Sequence, residues 1–261
     1  VSGTWNSHRN RLKEHQLMGV YSVLTSQGYT VFAVRPGTEP RFTIPDMVEN
    51  VETAIRFVKS RAADRHFDPE RIGLTGASAG GHLAVLTALQ PKPARPSARN
   101  PEERPGTGVA AVGVFFPPTD FVDWLAGVTN TTPPHRASLL FQDTHPLPKT
   151  PEQFQQFIAP LLFLGGTAGH PPEEIAARTR EISPLYQVKG RPAAPFLLIH
   201  GDADTVVPLN HSQRLAKAIE ASGGDVTLLV KKGGGHPWLT LSDDVQRLGS
   251  WFGKKLGALG K

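Results

Sequence analysis

The chain has 261 residues, 39% of them hydrophobic and 20% charged, enough apolar material for a full core and better suited to one α/β domain than to two. It contains no cysteine, which excludes disulfides, thiol catalysis and cysteine-based zinc sites. Its formal charge of +5 comes from basic residues dispersed among acids, with no basic stripe interleaved with aromatics, so no nucleic-acid partner is expected. No apolar run approaches the ~18–20 residues that span a membrane, and a soluble protein, cytoplasmic or secreted, is expected. The ten histidines include no His-Glu-x-x-His and no tight His/Asp cluster, so neither a metal site nor a cofactor is expected.

In chain order, Leu17, Val20, Tyr21 and Leu24 follow helical spacing, and Gly28 stops that helix. Tyr29–Val34 reads as a buried strand, ended by Arg35-Pro36-Gly37. Asp46 with Glu49 three residues on resembles a capping box, opening a helix whose apolar face is Val48, Val51, Ile55 and Val58. Asp68-Pro69-Glu70 turns the chain into a strand at Ile72–Leu74. That strand runs into Gly76-Ala77-Ser78-Ala79-Gly80, and a helical pattern of small residues follows at once and fades at Gln90. Pro91–Gly106 carries five prolines and reads as an exposed loop. Val109–Phe116 is the next strand, closed by Pro117-Pro118.

From Asp123 to Ile182 the strand–helix rhythm is lost among aromatics, prolines and glycines. This stretch reads as a small cap or lid over the strand ends, or as a loop packed on the domain's side. The rhythm returns with a strand at Pro195–Ile199, a helix at Asn210–Ser222 with Leu215 and Ile219 inward, and a last strand at Val226–Val230. Ser242 caps a final helix bearing Val245, Leu248 and Phe252. Five strands alternating with helices predict a parallel, doubly wound sheet in one domain, residues 1–261, with 123–182 inserted in it.

Gly-x-Ser-x-Gly between a strand and a helix is the context of a nucleophile elbow. A serine on such a turn holds its hydroxyl above the sheet edge, and larger side chains two residues to either side would collide. Ser78 also heads a helix, so the amides behind it face any oxyanion formed there. A serine nucleophile needs a base, and the base an orienting acid. In an open parallel sheet both lie past the carboxyl ends of later strands. His200-Gly201-Asp202-Ala203-Asp204 follows one such strand, and Gly233-Gly234-Gly235-His236-Pro237-Trp238 follows the next. His236 is the base in this reading, and Asp204 and Asp202 are rival acids. His200 reads as structural, His82 as facing the helix interior, and Asp120 as closing a turn.

Three pieces of the chain resemble the α/β-hydrolase superfamily, specifically its esterase/lipase branch with acetyl-esterase-like, feruloyl-esterase-like and hormone-sensitive-lipase-like members. They are Gly76-Ala77-Ser78-Ala79-Gly80-Gly81-His82-Leu83-Ala84, His200-Gly201-Asp202-Ala203-Asp204 with Val207-Pro208, and Gly235-His236. Ile182-Ser183-Pro184-Leu185 also matches the family's habit, and the resemblance covers nearly the whole chain. It implies an α/β-hydrolase sheet and a serine carboxylesterase acting on short-chain or small acyl esters of acetyl or feruloyl type, with no metal or organic cofactor. It places the acid at the last position of His-Gly-x-x-Asp, hence Asp204, with Ser78 as nucleophile, His236 as base and the Ala79 amide as an oxyanion donor. Gly81 and Trp238 are the substrate-binding candidates.

Two competing readings remain. One is a peptidase of the prolyl-oligopeptidase type, which shares this residue order but brings a propeller domain for which the chain has no room. The other is a binding module that keeps the scaffold without turnover. The family's His-Gly-Gly-Gly type loop, and the strands that precede it, have no counterpart before Val1-Ser2-Gly3-Thr4-Trp5. The resemblance therefore implies a sheet without its N-terminal strands, in a piece of a longer protein, or a sheet that closes up unusually. A gap between Tyr29–Val34 and Ile72–Leu74 of twice the ~4.8 Å strand spacing would support the first, and direct hydrogen bonds between them would exclude it.

Overall fold

The computed structural model describes residue 5, residues 15–16, residues 19–124 and residues 151–257. Four strands form one parallel sheet in which sequence order is spatial order: β1 (Gly73–Ala77), β2 (Ala111–Phe115), β3 (Phe196–Gly201) and β4 (Val226–Lys231). In register, Ala77 lies beside Phe115, Phe115 beside Ile199 and Ile199 beside Leu229, so the carboxyl ends of all four strands share one rim. Among the described residues the α-helices of seven residues or more, in chain order, are α1 (Val20–Ser26), α2 (Ile44–Ser60), α3 (Ala79–Leu89), α4 (Pro151–Leu162), α5 (Pro172–Glu181), α6 (Asn210–Ala221) and α7 (Leu241–Lys255).

The period-two alternation of a strand divides the sheet residues between two cores. Leu74, Val112, Val114, Phe196 and Leu198 pack with Val51 and Ile55 of α2, Val85 of α3 and Leu215 and Ile219 of α6. Ala111, Phe115, Leu197 and Ile199 face the other way, against Leu24 of α1 and Val245, Leu248 and Phe252 of α7. With both faces covered, β2 and β3 are buried at every position, which is why they read as continuous apolar runs. A third cluster joins Trp5, Ile44, Met47, Leu83, Phe121 and Trp124 to Ile158 and Leu161 of α4. Every residue of α3 from Ala79 to Thr87 is buried, so this helix is apolar all round rather than amphipathic.

Three sequence expectations are corrected. Tyr29–Val34 is not a strand: no ladder joins it to β1 among the described residues. A strand is defined by its ladder, and without one this stretch runs as an extended segment held by side chains. The Tyr29 hydroxyl donates to the Gly249 carbonyl at 2.7 Å, and Phe32, 44% exposed, packs edge-on against Phe67. The capping box of α2 lies one turn earlier than expected, at Thr43 and Asp46, because the helix begins at Ile44 with Pro45 in its first turn. Finally, Thr240 rather than Ser242 precedes α7, with no side-chain cap bond, and Ser242 sits within the first turn.

Of the expected cap, residues 125–150 lie outside the described residues, and α4 and α5 follow them. Among the described residues no helix is long and apolar enough to cross a membrane.

Helix α7 approaches the sheet over two glycines. A Cβ on Gly113 would lie 2.2 Å from Leu248 Cδ1, and one on Gly73 2.6 Å from Phe252 Cε1. Gly113→Ala is therefore expected to cost about 1–3 kcal/mol by overpacking. The check is urea unfolding, with a lower midpoint and an unchanged denaturant slope.

Candidate active site

Ser78 occupies the turn between β1 and α3 with φ 53° and ψ −125°, a positive-φ conformation that is strained for any residue but glycine. The turn survives because its surroundings leave no alternative. A Cβ on Gly76 would lie 2.4 Å from the Gly80 carbonyl oxygen. The Ser78 amide donates to the Phe115 carbonyl at 2.9 Å, fastening the turn to β2, and the His82 amide donates to the Ser78 carbonyl at 2.9 Å. Ala79, the first residue of α3, is fully buried with its amide at the helix N-terminus beside the serine.

The loop after β4 lays His236 over that serine. His236 Nε2 lies 2.9 Å from Ser78 Oγ, and His236 Nδ1 lies 2.7 Å from Asp204 Oδ2. A carboxylate can only accept, so Nδ1 carries the proton and Nε2 is left to accept from the serine hydroxyl. Asp204 is buried at the turn after β3, where its Oδ1 accepts from the Val206 and Val207 amides at 2.8 and 2.9 Å. Burial works to raise the Asp204 carboxyl, but the His236 charge and the hydrogen bonds from His200 and His236 outweigh it and hold the group well below the usual carboxylate range. The arrangement can therefore take a proton from the serine and hold the resulting imidazolium against a permanent anion.

The rival acid is placed elsewhere. Asp202 is exposed, and its Oδ1 accepts from the Gly233 amide at 2.6 Å, pinning the acid loop to the histidine loop. His200 is fully buried, with Nδ1 2.7 Å from Ser212 Oγ and Nε2 2.9 Å from the Val207 carbonyl. Asp120 closes its turn by accepting from the Val122 and Asp123 amides, and it is also ion-paired with Arg214 at 2.6 Å.

Gly81 and Trp238 have packing roles. A Cβ on Gly81 would be 3.2 Å from both the Gly76 and Phe115 carbonyl oxygens, so this glycine lets α3 lie close against β1 and β2. Trp238 is buried, and its indole donates to Asp244 at 2.8 Å. Its ring rests against Phe115 and Phe116.

One neighbour of the site escapes sequence reasoning. Phe116, at the end of β2, is buried with φ 37°, and its ring centroid is 4.3 Å from that of His236. A bulky residue at positive φ is a true backbone outlier, and only the structure can reveal it.

His82 ties the serine's helix to its surroundings. Its Nδ1 accepts from Trp5 Nε1 at 3.1 Å, and its Nε2 donates to the Ile182 carbonyl at 2.7 Å. Among the described residues no group of three or more His, Asp or Glu is placed to hold a metal ion.

A parallel sheet wrapped by helices, with serine, acid and histidine past the ends of β1, β3 and β4, is the α/β-hydrolase fold. The acetyl ester-xyloside bifunctional hydrolase of Caldicellulosiruptor lactoaceticus matches with a TM-score of 0.69 and 22% identity, covering 92% of this chain and 76% of that one. A truncated carbohydrate esterase from gut microbiota matches with a TM-score of 0.66 and 26% identity, covering 91% and 78%. The chain belongs to the BD-FAE family, whose sequence profile matches residues 2–219. Among curated relatives, the esterase LipQ of Mycobacterium tuberculosis is 26% identical over 271 residues, covering 98% of this chain and 55% of LipQ. The chain spans about half the length of the curated relatives it matches.

Burial lowers the His82 pKa from 6.5 to about 4, against the hydrogen bond to Ile182, which works to raise it. Below pH 6.5 the unfolded chain takes up a proton here that the folded chain refuses until about pH 4. Folding stability should therefore fall as pH drops through that window, by about 3 kcal/mol from this residue. Urea unfolding from pH 7 to pH 4 checks this: His82→Gln should remove one proton's worth of the pH slope, whatever it does to stability at pH 7.

Proposed function

We propose that the chain carries the catalytic site of a serine carboxylic-ester hydrolase. The observation that supports this reading is the continuous row Ser78 Oγ–His236 Nε2 at 2.9 Å and His236 Nδ1–Asp204 Oδ2 at 2.7 Å, brought together from three strand ends. The esterases and carboxylic ester hydrolase among the relatives support it independently.

In this mechanism Ser78 Oγ attacks the ester carbonyl carbon while His236 Nε2 takes the hydroxyl proton. The carbonyl oxygen becomes an anion beside the Ala79 amide, which donates to it at the helix N-terminus. Asp204, held ionised, steadies the imidazolium without itself taking the proton. The tetrahedral intermediate collapses, His236 protonates the departing alkoxide, and the acyl group stays on Ser78. Water then attacks the acyl-enzyme with His236 again as base, the carboxylic acid leaves, and the serine regains its proton. Every proton moves through His236, so no metal or organic cofactor is required.

The proposed substrates are short-chain or small acyl esters, with acetyl and feruloyl groups among them. The carbohydrate esterase among the structural matches supports including sugar esters in the panel. Hydrolysis of p-nitrophenyl esters should be fastest from acetate to butyrate, with no cleavage of aminoacyl-nitroanilides. Ser78→Ala is expected to lower kcat by at least ~10³-fold. The variant's melting temperature should stay near that of the parent, because the hydroxyl contributes little packing. A fluorophosphonate should label Ser78 and not the variant. A folded protein that neither labels nor turns over any ester is a binding module instead, and the proposal fails.

A further inference from the structure

The buried polar chain does not end at Asp204. His200, the last residue but one of β3, is fully buried, and its Nε2 lies 3.4 Å from Asp204 Oδ2, the same oxygen that His236 contacts. Nε2 also lies 2.9 Å from the Val207 carbonyl oxygen. A carbonyl and a carboxylate both only accept, so Nε2 carries the proton: it donates to the Val207 carbonyl, and its positive N–H edge also lies beside Asp204 Oδ2. The other nitrogen, Nδ1, is 2.7 Å from Ser212 Oγ on α6, and Ser212 is itself fully buried. In the neutral ring Nδ1 can only accept, so the serine hydroxyl donates to it and selects the tautomer that presents Nε2–H to Asp204.

Asp204 thus accepts three hydrogen bonds and has the His200 N–H as a longer electrostatic neighbour. Two amides, from Val206 and Val207, clamp Oδ1 at 2.8 and 2.9 Å and fix the carboxylate plane. Two imidazoles address Oδ2, His236 at 2.7 Å and His200 at 3.4 Å. The positive N–H edge of His200 offsets part of the negative charge that His236 would otherwise feel. The titratable groups facing the His200 ring are Asp204 on its own loop, His211 on α6 and, beyond Asp204, His236. Burial lowers His211 to about 3, with His200 the second cause, so His211 is neutral across the working range and adds no charge.

We infer that His200 is a positioning residue for the Ser78–His236–Asp204 row: its Nε2–H, oriented by Ser212, moderates the pull of Asp204 on His236 and so sets the lower pH at which His236 is free to act as base. The inference rests on the esterase reading, but its effect falls on the His236 ring and can be read without turnover.

The experiment compares His200→Leu, which removes the donor but keeps the apolar bulk, with His200→Gln, whose amide can restore an N–H toward Asp204. Histidine-ring NMR titration follows His236 directly, and kcat/KM against pH follows it through p-nitrophenyl acetate. With the Nε2 donor gone and the Oδ1 clamp intact, Asp204 holds a protonated His236 more strongly. In His200→Leu both the His236 titration midpoint and the acidic limb of the pH profile should therefore move to higher pH by about half a unit. His200→Gln should restore most of that shift, and KM should stay unchanged in both because His200 is sealed from solvent. Gly113→Ala, which overpacks the core between β2 and α7, should leave the midpoint in place and controls for simple destabilisation. If His200→Leu fails to fold, Ser212→Ala, which frees the His200 tautomer, should move the midpoint in the same direction by less. An unchanged midpoint in a folded variant overturns the inference, as does a downward move, which would mean that Asp204 had swung away. Failure of the parent to label at Ser78 or to hydrolyse any ester overturns the esterase reading alone.

Discussion

The site depends on how closely two loop backbones meet beyond the rim of the sheet. At Gly201 an added Cβ would lie 2.1 Å from the Gly234 carbonyl oxygen, so a larger residue there would force the loops after β3 and β4 apart. The Ala203 amide donates to that same carbonyl at 2.9 Å, and the Asp202 amide donates to Lys231 at 3.1 Å. Asp202 completes the lashing with its bond to the Gly233 amide. The loops after β3 and β4 are therefore one body before the Asp204 and His236 side chains are considered, and that backbone geometry favours the short contact between them. A site held this way needs little reorganisation as charge develops on the imidazole.

Strain completes the arrangement from the other side. Ser78 and Phe116 both sit at positive φ, each a conformation that costs about 1–3 kcal/mol. The two are adjacent in space, because the Ser78 amide bonds to Phe115 while the Phe116 amide bonds to Ile199 on β3 at 2.8 Å. The parallel ladder thus carries the strain of the turn into the buried centre of the sheet. Its return is a serine hydroxyl aimed at His236 and an aromatic ring packed on that histidine's other surroundings. The buried histidines behave alike: His82 and His211 are pushed toward the neutral form by burial, and both serve as fixed hydrogen-bonding joints rather than charges.

Much of this was legible in the chain. The strand–turn–helix context of Ser78, the glycines around it and the order serine–acid–histidine all carry local chemistry that a sequence displays. The choice of Asp204 over Asp202 needed the resemblance, because two carboxylates two residues apart on one turn look alike until their partners are known. Tyr29–Val34 was misread for a related reason: apolar alternation marks a segment fit for a sheet, while the ladder that makes it a strand belongs to another part of the structure. Gly81 and Trp238 lie close to Ser78 and His236 in sequence, yet Gly81 serves the close approach of α3 to the sheet and the Trp238 ring turns into the packing between layers.

By itself the sequence determined the fold class, the strand succession from Ile72 onward, and the strand–turn–helix setting of Ser78, since each follows from local periodicity, turn chemistry and steric need. Only the tertiary structure decided which carboxylate meets His236, that Phe116 leans on its ring, and that the hydrogen-bonded His200–Ser212 pair lies behind Asp204. The physical reason is range. Propensity and capping act over a few residues, whereas these contacts join residues brought together by the ladder from β1 to β4, and their distances exist only once all four strands are in register.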